Sequence, residues 1–261
     1  MHKIFRSLAS LVLVATLAIS PAFGIRKNQL TKLQENQHKS MHVIVMVHKD
    51  ASGDFHGGLC TAYAVGPHTL LTAEHCNDVD TNAVFIDTVE KKAIKEGRVM
   101  SYTVISRTFD HQDHMLLDVS GIYFPNTIEL TDHVRAPRQG EHTYQWGNPG
   151  SVRDQYREGL VTGRMAMPTP DPDDEDSDSE KIDATGDVYL IVETVVGGDS
   201  GSAIFSAVDG QLIGVLTYGI DDGQFAGVYA IVFTQAQIDD SKSDVLVIHA
   251  YDTDNTHTVK W

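Results

Sequence analysis

The sequence predicts an all-β protein, and three observations carry that expectation. Short runs rich in β-branched and aromatic residues recur from Met41 to Phe233, turn residues separate them, and a helical period of apolar residues is almost absent. Many short strands at this spacing close into a barrel or pack as a sandwich. The 261-residue length accommodates one large β domain or two smaller ones, and an apolar content of 41% is that of an ordinary globular chain.

Two segments precede the first strand. His2, Lys3 and Arg6 lead into a charge-free apolar run from Leu8 to Ile19, followed by Ser20-Pro21 and the small-x-small exit Ala22-Phe23-Gly24. This is the order of a secretory signal peptide over residues 1–24, cleaved before Ile25. As a membrane anchor the run falls short of the ~20 residues a bilayer span needs, so the mature form is expected to be soluble and off the membrane. Residues 25–40 (IRKNQLTKLQENQHKS) are polar without a clear period and read as an N-terminal arm or short helix.

Strands are then expected over HVIVMVHK (42–49), TAYAVG (61–66), HTLLTA (68–73), AVFIDTV (83–89), MSYTVISRTF (100–109) and HMLLDVSGIYF (114–124). Further runs are HTYQWG (142–147), DVYLIVETV (187–195), SAIFSAV (202–208), LIGVLTYG (212–219) and GVYAIVF (227–233). A short helix is expected at Thr234 to Asp239 and a further strand at VLVIHAY (245–251). One stretch breaks the pattern. Pro168 to Glu180 (PTPDPDDEDSDSE), within an acidic insert over 168–184, holds only prolines, acids, Thr and Ser, and it reads as a solvated loop. It lacks the glycine turn and spaced terminal glutamate of an EF-hand, so no metal site is assigned.

Charge excludes one class of partner. Loss of residues 1–24 takes the formal net charge from −16 to −18, because Lys3 and Arg6 leave with no acid. A surface this acidic does not displace counterions from phosphate, which argues against nucleic-acid binding. The two cysteines, Cys60 and Cys76, form an even pair in a chain read as exported and are expected to be bridged; two buried thiols are the alternative.

Two motifs carry chemistry. Nucleophilic catalysis by serine needs a hydroxyl, a base and N–H donors for the oxyanion. Gly197-Gly198-Asp199-Ser200-Gly201-Ser202 supplies the hydroxyl of Ser200 and lets the Gly198 and Ser200 amides turn toward one oxygen. It is not a lipase elbow, since Ser202 stands where that motif requires glycine. Leu71-Thr72-Ala73-Glu74-His75-Cys76 ends a strand with a histidine beside a cysteine whose partner lies sixteen positions earlier. A bridge there would fix the imidazole as a general base must be fixed.

Together these motifs resemble the chymotrypsin-like serine proteases, with His75 in T-A-x-H-C and Ser200 in G-D-S-G. Gly214-Val215-Leu216-Thr217-Tyr218-Gly219 is similar to the family's G-x-x-S-W-G strand, and Gly227-Val228-Tyr229-Ala230 to its G-V-Y strand. In mid-chain, Gly140, Gly147-Asn148-Pro149-Gly150 and Gly159-Leu160-Val161-Thr162 follow the order of the HtrA-like bacterial branch. The resemblance covers about Val43 to Phe233.

It implies two six-stranded antiparallel β-barrels, over 41–135 and 136–235, with the active site between them and a C-terminal extension over 236–261. It implies a secreted endopeptidase acting on polypeptides, with no cofactor. No R-I-V-G-G site precedes the first strand, so the protein is expected to be active without a new N-terminal amine pairing to Asp199. No PDZ domain is expected after Phe233. By the same pattern Thr194 is expected at the floor of the primary pocket, Gly219 and Gly227 in its walls, and Thr217 and Tyr218 along the substrate. Glycine walls and an uncharged floor favour a large apolar or aromatic side chain over glutamate, and disfavour a basic one.

The triad acid has two candidates, because the family's strand pattern fits both Asp113-His114-Met115-Leu116-Leu117 and Asp118-Val119-Ser120-Gly121-Ile122. Alternation favours Asp113, which shares a face with Met115, Leu117 and Val119. Asp118 shares its face with His114, Leu116 and Ser120, a mixed set read as solvated. A catalytically inert binding protein on the same fold is the competing function.

Overall fold

In a computed structural model the described residues are 31–49, 55–77, 83–87, 101–132, 134–151, 154–166, 187–220 and 224–243. The expected signal peptide, residues 25–30, the acidic insert and the 245–251 run lie outside them.

Twelve antiparallel strands close into two barrels. The first joins β1 (Met41–Lys49), β2 (Phe55–Ala64), β3 (Thr69–Ala73), β6 (His114–Ser120), β5 (Ser101–Phe109) and β4 (Ala83–Asp87), in that order. The second contains β7 (His142–Gly147), β8 (Gln155–Ala166), β9 (Asp187–Val192), β12 (Phe225–Tyr229), β11 (Leu212–Ile220) and β10 (Ala203–Ser206). Read from β7, its order repeats that of the first. Among the described residues each strand therefore has a neighbour on both sides.

A β-rich run in the sequence marks every strand except β8. Its residues, QYREGLVTGRMA, mix charges and two glycines with few β-branched residues, so no β signal stands out. Tertiary contacts hold it instead. Gly159 has no room for a side chain, because a Cβ there would stand 2.5 Å from Ile191 Cγ2. The register shifts between Val161 and Gly163, a bulge that a glycine accommodates.

Three buried clusters explain the packing. Ile44, Leu70, Met115, Leu117 and Val119 fill the first barrel, and Val161, Ile191, Ile204 and Val228 fill the second. The third, with Tyr63, Leu71, Leu116, Tyr144, Phe205 and Phe233, cements barrel to barrel. β3 and β6 therefore bury both faces, with Leu70 in one cluster and Leu71 in another. This corrects the expected solvated face of β6, where His114 and Leu116 are 0% and 3% exposed because the second barrel covers that side.

Two helices brace the interface. The polar arm is helical over 31–39. Its Gln37 amide donates to the Gly210 carbonyl at 2.7 Å and accepts the Tyr144 hydroxyl at 2.8 Å. The helix Gln235–Ser241 begins with a capping box between Thr234 and Gln237 and buries Ile238. Its Ser241 carbonyl accepts the Thr69 hydroxyl at 2.9 Å on the first barrel. No helix among the described residues is long and apolar enough to cross a membrane.

Candidate active site

His75 stands on a single 3-10 turn, Glu74–Cys76, at the end of β3. Three bonds orient it. The Cys60–Cys76 disulfide ties the turn to β2. Asp113 then holds the histidine twice, accepting its backbone N–H at Oδ1 (2.9 Å) and its ring Nδ1–H at Oδ2 (2.8 Å). The Asp113 side chain is 1% exposed and the His75 side chain 24%. A histidine that donates its Nδ1–H to a buried carboxylate carries its lone pair on Nε2, the atom that accepts a proton.

Asp113 reaches this position from a strained loop. It has φ 58°, as does His111 nearly (59°), in the left-handed region that non-glycine residues seldom occupy. Asp110 clamps the loop, accepting the amides of Gln112 (2.9 Å), His114 (3.2 Å) and Val232 (3.0 Å) and the His114 ring at 2.7 Å. The Val232 bond crosses to the segment that follows the second barrel. The alternation of β6 assigned His114 to a solvated face and left Asp110 unmarked, though an acid four residues before a histidine is a readable signal.

Asp118 lies elsewhere on β6. Its carboxylate accepts the hydroxyls of Thr69 (2.5 Å) and Ser106 and so ties β6 to both of its neighbours. The structure thus brings Asp113, and not Asp118, to His75.

Ser200 approaches the same point from the second barrel. Its carbonyl accepts the Thr61 amide at 2.8 Å, and the Thr61 hydroxyl donates to the Gly198 carbonyl at 2.8 Å. Thr61 adjoins Cys60, and Cys60 is bridged to the neighbour of His75, so three covalent or hydrogen-bonded steps connect the two motifs. Two glycines permit the approach. Gly198 has φ 99°, and a Cβ there would stand 2.5 Å from the Asn148 carbonyl oxygen. Gly201 has φ 86°, with the Thr61 carbonyl oxygen 2.0 Å from a would-be Cβ. Neither the Gly198 nor the Ser200 amide donates to another backbone carbonyl among the described residues. Such amides can serve a developing oxyanion.

Behind Ser200, the 0% exposed Asp199 is gripped by Arg157 of β8, Nη1 to Oδ2 at 2.8 Å, and accepts the Val196 amide at 3.0 Å. Arg157 Nε also lies 3.3 Å from the buried Glu193, which accepts from the Gln145 side chain. Burial, outweighing the Arg157 charge, pushes the Glu193 carboxyl up to about 7. No local pattern in the sequence marks Arg157, Glu193 or Thr61 as part of the site; only strand pairing brings them to the motif.

The expected pocket residues lie on or beside β9, β11 and β12. Thr194, expected at the floor, is exposed just beyond β9, its carbonyl accepting from Arg157 Nη1 at 2.6 Å. Thr217 is buried and donates to the Gly227 carbonyl at 3.2 Å. Gly219 is exposed. The face of Gly227 is not open: the ring of Tyr218 lies against it. No group of metal-ligating side chains occurs among the described residues.

The trypsin family model matches residues 31–238. No curated protein matches the sequence. Among solved structures the fold is similar to Rv3671c from M. tuberculosis, in an inactive form carrying a serine-to-alanine mutation. That likeness has a TM-score of 0.55 and 21% identity, over 76% of this chain and 84% of that one. The active form of the Rv3671c protease gives a TM-score of 0.55 and 22% identity, over 76% and 78%. At these identities the likeness is one of fold.

Proposed function

Because the chain belongs to the trypsin family, we propose that it is a secreted serine endopeptidase that works through an acyl-enzyme. The observation that carries the reading is the buried Asp113 carboxylate bonded to Nδ1 of His75, on a turn linked through Thr61 to Ser200. In this reading His75 Nε2 takes the Ser200 proton as Oγ attacks the peptide carbonyl, and later returns it to the leaving amine. Asp113 fixes the tautomer and stabilises the imidazolium. The Gly198 and Ser200 amides receive the oxyanion. No step needs a metal or a cofactor. Export is supported by the N-terminal pattern and by the disulfide, a bond that persists in oxidising compartments.

The test is to compare the mature protein with Ser200→Ala on a mixed peptide pool and with a fluorophosphonate probe. The wild type is expected to cut peptides and take one label, and the variant to do neither while remaining folded. A folded wild type that takes no label and cuts nothing would be the inert binding protein instead.

A further inference from the structure

The loop that carries Ser200 is fixed one peptide plane at a time. The carbonyl of Gly197 accepts the Gly150 amide at 2.7 Å, and that of Asp199 accepts the Ser202 amide at 2.9 Å. The Asp199 amide donates to the Val196 carbonyl at 3.1 Å and the Gly201 amide to that of Leu216 at 2.8 Å. The Ser200 carbonyl accepts the Thr61 amide at 2.8 Å. These anchors are backbone groups, which almost any residue supplies. One further anchor is a side chain. The Thr61 hydroxyl, on β2 of the other barrel, donates to the Gly198 carbonyl at 2.8 Å.

That hydroxyl is aimed. Asn148 Nδ2 donates to Thr61 Oγ1 at 3.0 Å, which leaves the single hydroxyl hydrogen for Gly198. Asn148 Oδ1 accepts the Asp154 amide at 3.4 Å, and this keeps the nitrogen turned toward Thr61. Thr61 is 0% exposed and Asn148 1%, so water does not compete for either bond. A tether is needed at this place. The peptide that presents the Gly198 amide lies between two glycines, and a Cβ on Gly197 would meet nothing within 4 Å. Successive glycines let such a plane rotate at little steric cost. Rotation would carry the Gly198 amide away from that of Ser200. Gly198 is therefore gripped on both flanks, through its own carbonyl by Thr61 and through that of Gly197 by Gly150.

We propose that Thr61, oriented by Asn148, is a positioning residue for the oxyanion hole, holding the Gly198 and Ser200 amides converged before substrate arrives. The inference rests on the peptidase reading above. It separates binding from chemistry. Donors aimed at the developing oxyanion stabilise the transition state more than the bound substrate, so a loosened donor costs kcat and spares KM.

Thr61→Val keeps the β-branched shape and the backbone amide and removes only the hydroxyl; Thr61→Ser keeps the hydroxyl. On the best-cut peptide of the mixed pool, the valine variant is expected to lose about ten- to a hundredfold in kcat, with KM within about twofold of wild type. Thr61→Ser should recover kcat to within about threefold, and Asn148→Ala should show the same split at smaller amplitude. A peptide aldehyde of that sequence reads the oxyanion directly. Ser200 Oγ adds to the aldehyde carbon, its proton passes to His75 Nε2, and the carbonyl oxygen becomes the oxyanion. The valine variant should bind the aldehyde more weakly by the factor lost in kcat, and the matching peptide amide as tightly as wild type does.

A folded valine variant with wild-type kcat overturns the proposal, and so does equal weakening of aldehyde and amide. A further readout needs no turnover: the NMR order parameter of the Gly198 amide should fall in Thr61→Val and stay at the wild-type value in Thr61→Ser. If the wild type takes no fluorophosphonate, the peptidase reading has failed. The Gly198 order parameter then decides alone, and an unchanged value in the valine variant sinks the claim that Thr61 fixes this amide.

Discussion

Arg157 Nη1 donates to Asp199 Oδ2 at 2.8 Å, so the aspartate beside the candidate nucleophile is held by a side chain from β8 of the same barrel. The cation that neutralises this buried carboxylate thus comes from within the chain. Arg157→Met should leave Asp199 buried without its counter-charge and lower stability by about 3–5 kcal/mol. Arg157→Lys should recover only part, since an ammonium cannot form the paired contact. Urea unfolding of the three proteins measures it, and a loss under about 1 kcal/mol for the methionine variant would mean the pair does not hold the loop.

Asp113→Asn should leave the protein folded and reduce peptide turnover by about 10⁴, because the amide orients the histidine in the wrong tautomer. Asp118→Ala should act in the opposite way. It removes the acceptor of Thr69 and Ser106, costing about 1–3 kcal/mol of stability with turnover nearly unchanged. Turnover and melting measured side by side separate the two.

Gly201→Ala should be poorly tolerated. The backbone has φ 86°, and the added carbon would meet the Thr61 carbonyl oxygen at 2.0 Å and Thr72 Oγ1 at 2.3 Å. Left-handed backbone alone costs an alanine about 1–2 kcal/mol, and the clash adds to it. A variant with wild-type melting and labelling would show that the two barrels can separate at this contact.

Glu193 sets an expected pH dependence of stability. Its folded value of about 7 stands above its ordinary 4.5, chiefly through burial. Below about pH 4.5 the neutral acid is accepted at full stability; as pH rises toward 7, the unfolded chain releases the proton first and the folded state loses ground. The loss amounts to at most about 3 kcal/mol. Glu193→Gln should flatten the decline in urea midpoint between pH 4.5 and 7. An identical slope in both proteins would place the burden on another group.

Reduction of the Cys60–Cys76 bridge, which closes a separation of 16 residues, should lower stability by about 2–3 kcal/mol. It should also slow fluorophosphonate labelling, because the bridge anchors the turn that carries His75. Unchanged labelling of the reduced, folded protein would limit the bridge to a stabilising role.

Much of this molecule is legible along the chain, and the reasons are local. Alternating apolar residues announce most strands, since each must bury one face. The pairing of a serine with flanking glycines, and of a histidine with a cysteine, is visible because each motif needs its neighbours within a few positions. β8 escaped because its glycines and charges serve contacts with other strands. The solvated face assigned to β6 was wrong for a related reason: one strand's alternation does not reveal that a second barrel covers its other side.

By itself, then, the sequence determined the β character of the chain, its candidate base and nucleophile, and its one cysteine pair. Each is a constraint satisfied by adjacent residues. Alternation favoured Asp113 over Asp118, but only tertiary structure brings Asp113 to His75 across 38 positions and Arg157 to Asp199 across 42. It decided also that Tyr218 covers Gly227. Those partners depend on strand register and barrel closure, and a shift of one residue in pairing would turn each side chain to the opposite face.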